Sequence, residues 1–302
     1  MKRPLILFIA IIASALAMHA QEPPQYAEAV ALLNEHKTDS LKVFLERWEA
    51  EEPQNAEIYA LWLNCYYLAA AEEVIEMTTD APQDGEAFAF VDSTGNEAGY
   101  MTSRVIYDKD ILNLGYEKID RGISQHPDRL DLYFGKAHLL LNASEDHDGF
   151  LSVMQSAFAR HKVNGGAWMW TFNEMMGDDG ETFIYSIQDY FGALYSSGAM
   201  EHASRLVEMA LETFPDNIMF LSDKAALAFS AGDLQTALDQ YLKILEIDPK
   251  DYLVMTNVAY IYAQMNKTDD AVKYYTMVKS SGDMDFAPFA AQALEDLGKG
   301  EE

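Results

Sequence analysis

The feature that most constrains the fold of this chain is a period of 34 residues in its C-terminal part. Gly198, Gly232 and Asn266 keep this spacing, and so do Pro215 and Pro249. A third set keeps it as well: Ala203, Ala237 and Ala271. Because two amphipathic stretches of helical period fill each interval, every repeat predicts a pair of helices. The glycine or asparagine suits the tight turn inside a pair, and the proline ends the pair because it cannot continue a helix.

This pattern resembles the tetratricopeptide repeat, in which a large residue precedes a small one by four positions and a closing proline follows an Ala-x3-aromatic pair. Leu221 and Ala225 match the first pair, whereas Ala237, Tyr241 and Pro249 match the rest. The pattern continues upstream with less regularity, to roughly six helix pairs and a terminal cap helix. The resemblance implies an all-α, tetratricopeptide-type helix-pair solenoid with a small β-hairpin insertion.

Residues 1–20 have the pattern of a secretory signal peptide. Two basic residues precede an apolar run, Leu5–Leu16, and small residues follow it. Since the run is too short to span a membrane, we expect cleavage after Ala20, with Ala17 as the alternative, and no integral membrane segment in the mature protein. The repeat array then occupies residues 21–302. This pattern predicts export to the periplasm or cell surface of a Gram-negative bacterium.

The formal net charge of −28 restricts the class of partner. A field of this sign repels nucleic acid and anionic membranes, and it favours basic partners where binding is electrostatic. A simpler interpretation is that the acidic residues keep an exported protein soluble. Cys65 is the only cysteine, so an intramolecular disulfide is impossible, and its helical surroundings predict a small buried apolar side chain.

Two stretches interrupt the period, at about residues 80–106 and 164–183. The first contains AFAFVDSTGNEAGY, residues 87–100, in which two short alternating runs flank turn residues at 93–96. Such a pattern predicts a β-hairpin inside the second helix pair. Insertions in repeat arrays lie on one face, and that face is frequently the one that binds a partner.

The second interruption, NGGAWMWTFNEMMGDDGETF, allows two interpretations. Trp168, Trp170 and Phe172 alternate with other residues, which favours a strand that pairs with or packs against the hairpin. The alternative is a short helix over Ala167–Met176 that buries its aromatic side chains. We favour this helix because the segment contains a glutamate and two methionines, which are good helix formers.

No recognised catalytic motif is present. A Gly-rich phosphate loop, HExxH, GxSxG and CxxC are absent, and the histidines of the mature chain lack ligand spacing. We therefore predict a protein that is not an enzyme, with no catalytic residues, no cofactor and no metal site.

The resemblance to tetratricopeptide repeats also implies a groove that is lined by the first helix of each pair and binds an extended peptide or a helix. The groove candidates are Tyr67, Phe134, His138, Tyr185, Gln188, Tyr195, Phe229, Asn257 and Tyr260. The candidates for a surface on the insertions are Phe90, Tyr100, Trp168 and Trp170.

The sequence leads to two functional hypotheses. The first is a non-catalytic, exported protein–protein interaction scaffold that binds a peptide or helix of a protein partner in the groove. The alternative is a cell-envelope glycan or peptidoglycan binding or assembly factor, in which exposed aromatic side chains of the insertions stack on sugar. Open tryptophans favour sugar binding, whereas buried tryptophans favour a structural role.

Overall fold

The computed structural model describes residues 23–81, 87–92, 97–178 and 180–299. The predicted signal peptide, with both cleavage sites, and the turn residues 93–96 lie outside the described residues. The chain divides into two compact units, residues 1–180 (unit 1) and residues 181–302 (unit 2).

The described residues form thirteen α-helices. In unit 1 these are α1 (Pro24–Asn34), α2 (Thr38–Glu51), α3 (Ala56–Ala70), α4 (Lys109–Gln125), α5 (Leu130–Asn142) and α6 (His147–Asn164). In unit 2 they are α7 (Glu181–Ser196), α8 (Met200–Thr213), α9 (Ile218–Ser230), α10 (Leu234–Ile247), α11 (Tyr252–Gln264), α12 (Thr268–Ser281) and α13 (Ala287–Lys299). Consecutive helices pack in pairs, α1 with α2 through α11 with α12, and α13 packs on α12 as the final helix. The predicted helix-pair architecture is thus confirmed.

In unit 2 the turn inside each pair uses the residue types that the period predicts. Gly198, Gly232 and Asn266 all have a left-handed backbone, with φ of 79°, 78° and 56°. Glycine adopts this conformation without steric cost, and asparagine tolerates it better than most residues. The first helices α9 and α11 begin after Asn217 and Asp251, whose side-chain oxygens accept hydrogen bonds from backbone N–H groups of the first turn.

The small residues of the repeat lie where helices approach one another. Ala203, Ala225, Ala237, Ala259 and Ala271 are all fully buried. A side chain of one carbon leaves room for the neighbouring helix, so larger residues are excluded by packing density. The 34-residue spacing of these alanines is therefore a packing requirement of unit 2.

The first insertion of unit 1 is a three-stranded antiparallel sheet. Its strands are β1 (Ala71–Thr78), β2 (Ala87–Val91) and β3 (Glu97–Tyr107), in the order β1-β3-β2. The predicted hairpin corresponds to β2 and β3, and β1 is an additional strand that continues directly from α3. Where β3 ends, the backbone N–H of Asp108 donates to the carbonyl of Ala70, and the Asp108 side chain caps α4.

The second insertion does not form the helix predicted over Ala167–Met176. Gly165 ends α6 with a left-handed φ of 63°, and the chain then runs extended to a single 3-10 turn at Thr171–Asn173. Met169 forms isolated β-bridges with Arg129 and Met175. The alternation thus reflects extended backbone only as far as Trp170, and its partner is the loop before α5. The hairpin strands pair only with β1 and one another among the described residues.

Candidate partner-binding face

The first helices of unit 2, α7, α9 and α11, place six predicted groove residues on connected positions. We call this set the first-helix face of unit 2: Tyr185, Gln188, Tyr195, Phe229, Asn257 and Tyr260. Gln188 donates to Asp223, and the hydroxyls of Tyr195 and Ser230 are 2.6 Å apart, so both contacts join α7 to α9. The ring centroids of Phe229 and Tyr260, 6.0 Å apart, join α9 to α11.

Three rings of this face are open to solvent. Tyr185, Phe229 and Tyr260 are between 39% and 56% exposed, and Leu253 beside them on α11 is 51% exposed. Phe229 and Tyr260 are in contact across α9 and α11, and contiguous exposed side chains mark interaction surfaces more frequently than isolated ones do. Flat rings also supply contact area with little loss of rotamer freedom. The face therefore has the chemistry of a surface that binds protein.

Asp223, which sequence reasoning did not select, lies at the polar centre of this face. It is 6% exposed, and its Oδ1 accepts a hydrogen bond of 2.9 Å from Nε2 of Gln188. Its Oδ2 and the Oε1 of Gln188 are both buried, and neither has a hydrogen-bond partner among the residues that the structure describes. Burial raises the pKa of Asp223 to about 6, which the hydrogen bond from Gln188 offsets in part. The sequence signal is a single acid between two buried residues of the apolar run IMFLSDKAALAFS.

Asn257 connects the face to the second helix of the preceding pair, because its side chain hydrogen-bonds the Tyr241 hydroxyl. Burial is the main reason why the pKa of Tyr241 is raised, and the bond to Asn257 acts in the opposite direction. The amide of Asn257 is only partly buried. This hydrogen bond and the one from Gln188 to Asp223 hold polar groups in fixed positions beside the open rings.

The three groove candidates of unit 1 have internal partners. Tyr67 stacks on Tyr107 of β3, with centroids 5.1 Å apart and hydroxyls 2.8 Å apart. Phe134 is 8% exposed and its ring lies against Trp170, so the prediction that Phe134 offers a binding surface is wrong. His138 is half-buried on α5 and contacts Asn142, and burial lowers its pKa.

The four candidates on the insertions divide into exposed and buried residues. Phe90 is exposed on β2, and Tyr100 is half-buried on β3 with its hydroxyl donating to Glu97 at 2.6 Å. Trp168 is 1% exposed, and its indole N–H lies 3.1 Å from Nδ1 of His161. The prediction that Trp168 is a surface residue is therefore wrong, because the tryptophan fills the core between α5 and α6.

A buried ionic cluster anchors the second insertion, and no sequence pattern predicts it. Arg129, 1% exposed, donates to both oxygens of Glu57 at 2.6 and 3.2 Å and to both oxygens of Asp131 at 2.8 Å. It also donates to the side chain of Asn173, while Glu57 accepts the backbone N–H of Phe172. Burial acts to lower the pKa of Arg129, but Asp131 and Glu57 raise it above its ordinary value.

The same cluster fixes an unfavourable backbone. Phe172 and Asn173 have φ of 60° and 58°, a left-handed conformation that is costly for a bulky residue. Such a conformation persists only where the surroundings determine it. Here the hydrogen bonds to Glu57 and Arg129 hold both residues, and the Phe172 ring packs edge-on against Tyr26 at 4.9 Å.

Within residues 23–81, 87–92, 97–178 and 180–299, His, Cys, Asp and Glu form no group of three or more with metal-binding geometry. In the same ranges no helix combines the length and apolar character needed to cross a bilayer. Cys65 is buried, and burial raises its pKa to about 11, so the thiol carries little thiolate at neutral pH.

One segment of the chain matches a known repeat family. Residues 240–273 match the tetratricopeptide repeat family. No curated protein matches the chain in sequence.

Similar solved structures include PilW, described as a widely conserved type IV pilus biogenesis factor (10% identity, TM-score 0.38, 88% of this chain and 96% of that chain). Pseudomonas aeruginosa pilF is similar at 10% identity and a TM-score of 0.35, over 89% of this chain and 96% of that one. YrrB, a TPR protein with an unusual peptide-binding site, is similar at 14% identity and 0.39, over 82% and 97%.

Scores of this size do not establish a common fold, so the assignment depends on the chain's own helix pairs and the matched segment. The match spans the last part of α10, the whole of α11 and the start of α12. It contains Pro249, Asn266 and Ala271, each of which recurs at the 34-residue spacing. Residues 240–273 therefore belong to a tetratricopeptide repeat, and the helix pairs around this segment have the same two-helix organisation.

Proposed function

We propose that the protein is an exported, non-catalytic scaffold that binds an extended segment or helix of a protein partner on the first-helix face of unit 2. The observation that carries the proposal is the set of open rings on α7, α9 and α11, in which Phe229 and Tyr260 are in contact and α7 is joined to α9 by two hydrogen bonds. The amides of Gln188 and Asn257 lie beside these rings, and amides pair well with peptide backbone.

The charge of the chain favours a basic partner. The net charge of −28 disfavours nucleic acid and anionic lipid as ligands. Export is supported by the basic start and short apolar run of residues 1–20, and a periplasmic or cell-surface location follows from it.

The alternative of glycan binding needs open, flat aromatic side chains in the insertions. Trp168 is buried and Trp170 lies half-buried against Phe134, so the tryptophans form no open platform. We therefore place recognition on the first-helix face.

The proposal is tested by affinity capture from a cell-envelope extract with the mature chain, residues 21–302. The variant Phe229→Ser/Tyr260→Ser removes two open rings, and Phe289→Ser, which removes an exposed ring on α13, is the matched control. We expect the wild type and the control to retain the same protein and the double variant to lose it. Equal retention by all three, or retention of glycan without protein on an array, would overturn the proposal.

A further inference from the structure

The three-stranded sheet of unit 1 exposes its apolar side to solvent. We call this the apolar sheet face: Ile75, Met77, Phe88, Phe90 and Met101. The register places Met77, Met101 and Phe88 side by side across β1, β3 and β2, because Met101 is the pairing partner of both other residues. The five side chains are between 38% and 72% exposed.

The opposite side of the sheet is less accessible and mixes apolar with polar side chains, among them the half-buried Val74 and Ile106. Glu76 and Arg104 form an ion pair of 2.6 Å there, and Thr102, the pairing partner of Glu76, is half-buried. An antiparallel sheet ordinarily packs its apolar side on a core and leaves its polar side in water. This sheet instead leaves the side that carries Ile75, Met77, Phe88 and Met101 open to solvent.

The apolar sheet face is shaped before any partner arrives. Met77, Phe88, Ala89, Phe90 and Met101 line a depression of about 260 Å³. The Phe90 ring lies directly across Gly99, where an added Cβ would be 2.6 Å from the ring and 2.8 Å from the carbonyl of Thr78. Glycine therefore allows the ring to lie flat on β3, while the two methionines adapt their shape to an incoming side chain.

Charge decides among the possible occupants. The segment 71–107 contains eight acidic residues and one basic residue, and that base, Arg104, is already paired with Glu76. Glu73, Asp80 and Glu97 are exposed around the sheet. A second copy of this chain would bring the same acidic border against it, and an anionic membrane would also be repelled. A partner with basic residues beside an apolar stripe fits both the surface and its border.

We propose that the apolar sheet face docks an amphipathic helix of another protein, with Leu, Met or Phe along one side and Lys or Arg beside it. An amphipathic helix supplies the second layer that a one-sided sheet lacks, since a helix buries its apolar stripe against such a surface. This site lies in unit 1 and uses none of the residues of the first-helix face of unit 2, so it stands independently of the function proposed above.

The test uses a fluorescein-labelled synthetic helix of about 18 residues, roughly five turns, with a leucine stripe and flanking lysines. A second peptide replaces every lysine with glutamate. Binding to the chain of residues 21–302 is followed by fluorescence anisotropy. We expect the lysine peptide to bind at least about ten-fold more tightly than the glutamate peptide, and to weaken as salt is added.

The test variant, Met77→Gln/Met101→Gln, changes two methionines of the apolar sheet face. The matched control, Met200→Gln/Met284→Gln, changes two methionines on the surface of unit 2. All four methionines are exposed. We expect the sheet variant to weaken the lysine peptide about ten-fold or more and the unit 2 variant less than about two-fold. The circular dichroism of both variants is compared with that of the wild type to show that each remains folded.

Three results would overturn the proposal: equal affinity of both variants for the lysine peptide, absence of binding, or concentration-dependent dimerisation that the sheet variant abolishes. The last result would assign the face to a second copy of the chain.

The same peptide measured with residues 1–20 retained tests whether that apolar segment occupies the face; competition by it would also overturn the proposal. Loss of lysine-peptide binding in Phe229→Ser/Tyr260→Ser, with full binding in the sheet variant, would assign the peptide to the first-helix face and would also overturn the proposal.

Discussion

Unit 2 and unit 1 use the same helix pairs but hold them together differently. In unit 2 the junctions are local: a left-handed glycine or asparagine inside each pair, side-chain caps at the starts of α9, α10 and α11, and buried alanines. In unit 1 a sheet separates α3 from α4, and an ionic cluster joins α3, the start of α5 and the second insertion. Local junctions repeat, whereas long-range junctions are specific to one place and leave surfaces that a regular array does not have.

The largest expected effect is the loss of Arg129 in unit 1. Arg129→Ala leaves Glu57 buried without its counter-charge, which costs about 3–5 kcal/mol of unfolding free energy. All four tryptophans belong to unit 1, so tryptophan fluorescence during thermal unfolding reports this loss directly. Arg160→Ala, which removes the more exposed pair with Asp128, is the control and should cost much less. Equal losses for both variants would show that the ionic cluster is not what stabilises unit 1.

The next effect breaks a local junction of unit 2. Ala237→Leu forces three further carbons into a fully buried position and should cost about 1–3 kcal/mol. Far-UV circular dichroism should show the loss at lower temperature while tryptophan fluorescence changes little. Ala193→Leu, at an exposed position on α7, is the control. If tryptophan fluorescence shifts as much as circular dichroism does, the two units unfold together and the contrast between them fails.

A third effect concerns the pH dependence of unit 2. The folded pKa of Asp223 is about 6, above its ordinary value of 3.8, so folding favours the protonated acid. The stability that this group contributes is complete below pH about 4 and is lost as the pH rises through about 6. A protonated Asp223 also has an O–H group that can donate a hydrogen bond to Oε1 of Gln188, which has no partner among the described residues.

Asp223→Asn supplies a neutral donor at every pH. We expect it to stabilise unit 2 at pH 7 by about 1–2 kcal/mol, less than the full value of the pKa shift because neighbouring dipoles relax. Urea unfolding followed by circular dichroism between pH 4 and 7 measures the difference. Variant and wild type should agree near pH 4, and parallel curves across the whole range would contradict the assignment.

The smallest effect is on the first-helix face. Tyr195→Phe removes the hydrogen bond to Ser230 but keeps the ring, and should cost about 0.5–1 kcal/mol. Hydrogen exchange of α7 and α9 is sensitive to a change of this size, and α1 to α6 should exchange as in the wild type. A change confined to unit 1 would contradict the placement of this contact.

Local pattern was sufficient to predict most of unit 2. The 34-residue spacing of glycine, alanine and proline follows from turns and helix packing between residues that are close in the chain. It is therefore visible in the sequence. Six of the nine groove candidates lie on the first helices α7, α9 and α11, where Tyr195 and Phe229 occupy equivalent positions 34 residues apart.

The remainder depends on partners that are distant in the chain. Arg129 meets Glu57 across 72 residues, and Met169 pairs with the loop at Arg129, and no periodicity marks either contact. The strand β1 directly follows a helix without a turn residue between them, so its start was not recognisable. Trp168 alternates like a half-exposed strand residue but is buried, because α5 and α6 enclose it.

The junction between α3 and α4 has a consequence for how this chain folds and evolves. Their pairing must close a loop of 38 residues, Ala71–Asp108, in place of the three-residue turn between α9 and α10. The entropic cost of loop closure grows only with the logarithm of length, so the difference is about 2 kcal/mol. The ladder from Ala71↔Tyr107 to Thr78↔Tyr100 brings the two helix ends together as it forms. A strand pair can thus replace a turn as the connection inside a repeat, which lets an array acquire a new surface without changing its period.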